Sequence, residues 1–288
     1  MDDGIRQRIE SLDPVKDHQQ IVHLSYVHEF PWDTIKALEL ALFRTFAVPS
    51  IGALLDATGE FVRQTQKRYD DTSILIAEFC HHGYDSERGR QAIRTMNRIH
   101  GRFPISQEDY RYVLSTFICE PPRWMKQFGW RPWTSHEVLA NFYFWRRVGE
   151  LMNIRDLPSR YDDFVSFSRE FERQHFRYTE AGARVARATR SLFVHRFLPE
   201  PLVGLGCAAV DALLDEPLLR AFDFPEPPPL VRTAVEKALG AHALLLRLRP
   251  RSHKTLLVQE QVWPTYPNGY EIESVGAADK AVDSSIAP

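Results

Sequence analysis

Apolar residues recur along most of this 288-residue chain at intervals of three and four, the spacing of one face of an α-helix. Ile21, Leu24 and Val27 form a short stripe within residues 18–30. Ile35, Leu38, Leu42 and Phe46 form a longer one over 34–46, with Asp33 placed to cap it after the break at Pro31-Trp32. Ser50 can cap a short helix reaching Leu55, and Thr58-Gly59 can open a long one. Residues 68–103 read as two helices joined by a turn at 81–85. Gly83 is suited to end the first, and Asp85 or Ser86 to cap the second. Arg68, Thr72, Leu75 and Phe79 share one face of the first helix. Ile93, Met96 and His100 share one face of the second.

The pattern continues in the same style. Ser106-Gln107-Glu108-Asp109 starts a helix that the pair Pro121-Pro122 is expected to kink or restart. Thr134 to Glu137 caps another, ending near Met152, on which Gly149 suggests close packing. Phe164, Phe167 and Phe171 mark the helix after Pro158, and Val185, Ala188 and Leu192 the helix over 180–197. A further apolar helix is expected over 203–214, a stiff linker at 225–229, and a last helix over 231–248. No segment alternates with a two-residue period between hairpin turns; a short strand near 256–263 is the most that can be expected. The fold expected is therefore all-α, a single globular multi-helix domain over residues 1–273. Residues 274–288 are small and polar, and are expected to form a disordered tail.

Composition narrows the function by exclusion. A hydrophobic content of 44% with a net charge of −2 suits a globular protein and gives no electrostatic case for nucleic acid. The charged N-terminus does not look like a signal peptide, and no run of eighteen apolar residues suggests a membrane span. Cys80, Cys119 and Cys207 are far apart, form no zinc or haem-attachment pattern, and suit a reducing, cytoplasmic compartment as free thiols. The aromatic run from Trp124 to Trp145 reads first as core and second as a stacking platform for substrate.

Candidate chemistry centres on the two faces in residues 68–103. A buried arginine needs an anion, and a buried histidine needs a hydrogen bond or a metal. One object could satisfy both: haem b, whose iron would take His100 and whose carboxylates would take Arg68. The plainer alternative makes His100 a core residue bonded to a carbonyl, and Arg68 a surface partner of Asp71. A di-iron site is a third reading. It rests on two Glu-x-x-His matches, Glu78-His81 and Glu172-His175, but lacks the inward glutamates that such a bundle requires. Nucleotide-binding, zincin and hydrolase signatures are missing.

An ordered set of short pieces resembles one family. The pieces are Phe43 to Ile51, Lys67 to Thr72, Met96 to His100, Glu120 to Trp124, Trp130 to Thr134, Phe144 to Gly149 and Tyr266 to Ile272. Together, over residues 13–276, they resemble the MpaB-type oxygenases, relatives of the latex-clearing protein. The resemblance implies a globin-like helical core, a non-covalent b-type haem, and dioxygen-dependent cleavage of a carbon–carbon double bond in an isoprenoid or prenylated small molecule. It implies His100 as the iron ligand, Arg68 and Thr72 as the Arg-x-x-x-Thr element beside the haem, and Asp71 or Thr72 as the group that handles protons or orients dioxygen. Latex-clearing proteins carry a lysine where this chain has Asp71, and their acidic catalytic residue has no clear counterpart; Glu60 is the nearest upstream glutamate. The competing functions are a peroxidase-like haem oxidase that leaves the chain uncleaved, and a haem-free helical scaffold.

Overall fold

A computed structural model describes residues 4–248 and 258–276. Fourteen α-helices and no β-strand occur among these residues. They are α1 (Gly4–Ser11), α2 (His18–His23), α3 (Pro31–Thr45), α4 (Pro49–Thr58), α5 (Glu60–Arg63), α6 (Thr65–His82), α7 (Glu87–His100), α8 (Gln107–Gln127), α9 (Ser135–Leu151), α10 (Tyr161–His175), α11 (Glu180–His195), α12 (Val203–Asp211), α13 (Glu216–Phe222) and α14 (Pro229–Leu248). In the region of the expected strand, Val258–Glu260 makes a 3-10 turn and one isolated bridge joins Trp263 to Tyr266.

The expected start signals mostly hold. Ser86, Ser106 and Thr134 each accept a hydrogen bond from the backbone N–H three residues on, and Thr134 with Glu137 completes a capping box. Four expectations change. Ser50 lies inside α4, which Val48 precedes as the N-cap residue, and donates to Asp109 at 2.9 Å. Asp33 lies inside α3, which begins at Pro31, and its carboxylate accepts the indole N–H of Trp124 at 2.9 Å. The helix expected to open at Thr58-Gly59 is broken, because Gly59 adopts φ 67° and Gln64 leaves helical geometry; α5 is a single turn between them. Pro121 and Pro122 do not interrupt α8. Each proline removes an N–H that would have bonded the carbonyl four residues back. Those carbonyls, on Phe117 and Ile118, instead accept from Asn141 Nδ2 of α9 at 3.3 and 3.2 Å. Asn141 Oδ1 accepts from Tyr26, whose hydroxyl accepts from Trp145, so the repair belongs to a buried network.

α8 is the central rod. Its residues Leu114 to Pro121 are all buried, as expected of a helix enclosed on every side. α3 lies along it through the small residues Ala37 and Ala41, while Ile35, expected inward, is exposed. α9 approaches from another side at Gly149, where a Cβ would meet Leu114 at 2.5 Å. Trp124, Trp133 and Trp145 are buried in this main core, as the aromatic run suggested. A second core, with Phe43, Phe46, Val185, Leu218 and Phe222, joins α3, α11 and α13. No single helix among the described residues is long and apolar enough to cross a membrane. α3 and α4 pass together only as a pair bent by 99°.

Candidate functional site

A cavity of about 610 Å³ opens between α3, α4, α6, α7, α8 and α11, within the roughly 300–1,000 Å³ typical of ligand and cofactor sites. Its walls are mainly apolar, including Leu42, Phe46, Leu75, Met96, Phe117 and Leu192. Arg68, Thr72 and His100 all face it. The sequence separates Arg68 from His100 by 32 positions; the α6–α7 hairpin returns them to one chamber.

The break before Thr65 sets Arg68 in the first turn of α6. Its guanidinium lies 5.1 Å over the ring of Phe61 from α5 and donates to the Thr72 hydroxyl. Thr72 in turn donates to the Arg68 carbonyl at 3.0 Å, so one threonine fixes both ends of the arginine. No carboxylate pairs with Arg68 among the described residues. Burial pulls its pKa below the usual arginine value, and the charges of Asp71 and Glu60 only partly offset this. It is a cation aimed into a largely apolar chamber, with carboxylates near it but none paired to it among the described residues.

His100 is the last residue of α7, and the ring of Tyr110 stands edge-on to it at 5.8 Å. Its Nδ1 is buried with no hydrogen-bond partner. Burial, with the neighbouring charge of Arg68, pushes its imidazole down to about 4, so the ring is neutral and a nitrogen lone pair is available at neutral pH. The carbonyl bond of the plainer alternative is not made at Nδ1. The arrangement offers a neutral imidazole for a metal, a guanidinium for a carboxylate, and apolar walls for a flat hydrophobic body.

The other expected residues are engaged differently, although Asp71 also lines the cavity. Asp71 is buried, but Lys67 donates to its Oδ2 at 2.7 Å and Tyr266 to its Oδ1 at 2.5 Å. It therefore helps fasten residues 263–276 along α6 rather than presenting a free carboxylate. Asp70 accepts from the Thr265 N–H and Glu78 from Tyr270, while Lys67 also donates to the Gly276 carbonyl. Val275 is buried beside them; residues 277–288 of the expected tail lie outside the described residues. Glu60 lines the cavity at the start of α5. The di-iron reading loses its ligands. Glu78 is held by Arg88 and Glu172 by Arg44, while His81 Nδ1 accepts from the Val258 N–H. No cluster of three metal-binding side chains occurs among the described residues.

Residues 34–248 match the family model described as the catalytic domain of ER-bound oxygenase mpaB/B' and rubber oxygenase. The chain belongs to this oxygenase family. The ER-bound oxygenase mpaB' of Penicillium brevicompactum is 26% identical over 237 residues, 76% of this chain and 56% of that relative. The ER-bound oxygenase mpaB of Penicillium roqueforti is 34% identical over 139 residues, 46% of this chain and 47% of its own. The chain thus spans about half the length of these curated relatives. The match to the mpaB/rubber oxygenase domain takes in α6, α7 and the whole Arg68–Thr72–His100 constellation; the segment fastened by Asp71 lies beyond it.

Sequence reasoning missed one polar pair in this cavity. Tyr69 and Glu39 both line it, and the Tyr69 hydroxyl donates to Glu39 Oε1 at 2.5 Å. Neither carries a helix-face signal, because each sits between apolar stripes. Only the crossing of α3 and α6 brings them together.

Proposed function

We propose that this chain is a haem-b-dependent oxygenase that uses dioxygen to cleave a carbon–carbon double bond in an apolar, isoprenoid or prenylated small molecule. The observation that carries the reading is the pairing, in one largely apolar cavity, of a buried nitrogen on His100 that has no hydrogen-bond partner with an arginine to which no carboxylate is paired among the described residues. Both are satisfied at once by a haem: His100 would ligate the iron and Arg68 would bind a propionate, a charge-assisted contact. When bound, haem supplies a redox-active iron for the reaction of dioxygen with an alkene.

The chain's own residues set the conditions. His100 remains neutral and so keeps its lone pair for ligation. Thr72 holds Arg68 against rotation away from the cavity. Phe117 and Trp145, stacked at 4.5 Å, with Leu75 and Met96, exclude water and take an isoprenoid chain by apolar area rather than hydrogen bonds. Asp71, paired with Lys67 and Tyr266, would hold α6 in place, and Thr72 is the expected polar residue bonded to the arginine.

Isotopically heavy dioxygen tests the reaction. With a prenylated aromatic or short polyisoprenoid, label should appear in both new carbonyl groups, since alkene cleavage by dioxygen places one oxygen atom in each. Turnover that needs peroxide and leaves the chain uncleaved would instead establish a peroxidase-like oxidase. His100→Ala should lose the Soret band while keeping its circular dichroism; a full Soret band in that variant refutes the ligand assignment.

A further inference from the structure

The cavity has a second polar corner, formed by α3 and α6. Glu39 receives the Tyr69 hydroxyl on one carboxylate oxygen and Lys36 Nζ, at 2.6 Å, on the other. The Tyr69 ring is held from outside by the Arg196 guanidinium at 4.2 Å and edge-on by Phe193 at 5.9 Å. Leu42, Leu192 and Phe193 around the pair are apolar. A few fixed polar groups in an otherwise apolar pocket are what set a ligand's orientation.

The chemistry of the corner is one-sided. The only proton of the Tyr69 hydroxyl is committed to Glu39; burial and the Glu39 charge raise its pKa, outweighing the opposing pull of Arg196. Each Glu39 oxygen accepts one hydrogen bond but has capacity for two. What the pair can still offer a ligand is lone pairs. It would receive a hydrogen-bond donor and give nothing to an ether or a hydrocarbon.

We infer that the Glu39–Tyr69 pair is a head-group subsite, which receives a hydroxyl or phenol at the polar end of a ligand whose isoprenoid chain occupies the apolar remainder of the cavity. The inference rests on the proposed isoprenoid function and adds that the ligand is amphipathic, bound head-first to α3 and α6. A merely structural tie between these helices would hold Tyr69 in the same place but would not distinguish one head group from another.

Calorimetric titration of the purified full chain with farnesol, its methyl ether and the hydrocarbon farnesene separates these outcomes. The wild type should bind the alcohol roughly three- to tenfold more tightly than the ether, the scale of one net hydrogen bond. Glu39→Met, which removes the carboxylate's lone pairs, should abolish that preference, whereas Tyr69→Phe, which frees one more lone pair on Glu39, should keep it. Glu39→Gln, which conserves shape but exchanges one acceptor oxygen for a donor amide, should narrow the preference by admitting the ether, and carries the test if Glu39→Met loses its native circular dichroism. Equal binding of alcohol and ether by the wild type overturns the subsite, as does equal weakening of both by the Glu39 variants, while tight ether and farnesene binding would leave the isoprenoid reading standing. If none of the three ligands binds, the isoprenoid reading falls, and the subsite with it.

Discussion

Replacing Arg68 with methionine should move two measurements in opposite directions. Methionine keeps an unbranched stem against Phe61 and removes the charge. Without cofactor, the guanidinium is part-buried, has Thr72 as its side-chain partner, and has its pKa lowered by desolvation. Removing an uncompensated charge of this kind should stabilise the cofactor-free protein, by about 1 kcal/mol, the lower end for replacing buried charge with apolar volume. With haem present, the same change deletes a charge-assisted hydrogen bond worth about 1.5–3 kcal/mol. That weakens haem binding roughly 10- to 150-fold. Arg68→Lys should recover only part of the loss, because a point charge cannot reproduce the planar fork. The assays are Soret titration of the apoprotein with haem and its denaturant midpoint without haem. Haem affinity within twofold of wild type in Arg68→Met refutes the propionate contact. A destabilised apoprotein would instead make Arg68 a structural residue.

Three further outcomes follow from particular contacts. Asn141→Leu should cost about 2–4 kcal/mol in denaturant unfolding, because it strands the Phe117 and Ile118 carbonyls and the Tyr26 hydroxyl in the core; a loss below about 0.5 kcal/mol would mean that α8 tolerates its prolines without this repair. Asp71→Asn should lower stability by about 1–3 kcal/mol through the Lys67 and Tyr266 contacts yet leave the wavelength of the Soret band unchanged; unchanged stability with lost turnover would restore it as a proton-handling residue. His100 and His81 are both pushed down to about 4 by burial. Above pH 6.5 neither state is charged at these rings; as pH falls from about 6.5 to about 4 the unfolded chain binds their protons first, so the stability of the cofactor-free protein falls through that window. A His100→Gln, His81→Gln double variant should lose part of that slope, measured by thermal or denaturant unfolding across the range, and an identical slope would refute the buried neutral state.

The periodicity of the chain was enough to locate most of the helices, though not α1 or α13, because each longer helix must hide an apolar stripe whatever its neighbours are. The caps at Ser86, Ser106 and Thr134 were equally legible, since a cap is satisfied within four residues. The faces of α6 and α7 pointed to Arg68, Thr72 and His100 before any contact was known. Other features depended on partners distant in the chain. Pro121-Pro122 reads as a break until Asn141, from another helix, supplies the donor that the two carbonyls lost. Ile35 reads as core until α3 packs on α8 through its alanines instead. Asp71 reads as a candidate to handle protons beside Thr72, and only the fold brings Tyr266 onto its oxygen alongside Lys67; the Glu39–Tyr69 pair cannot be inferred from either residue's own helix. Sequence alone determined the period of each apolar face, because local backbone geometry fixes it, but not always which face is buried, as Ile35 shows. Tertiary structure decided which polar groups satisfy one another and which are left facing the cavity, because hydrogen bonds and ion pairs act only over a few ångströms and the chain brings partners together from 23 to 195 residues apart.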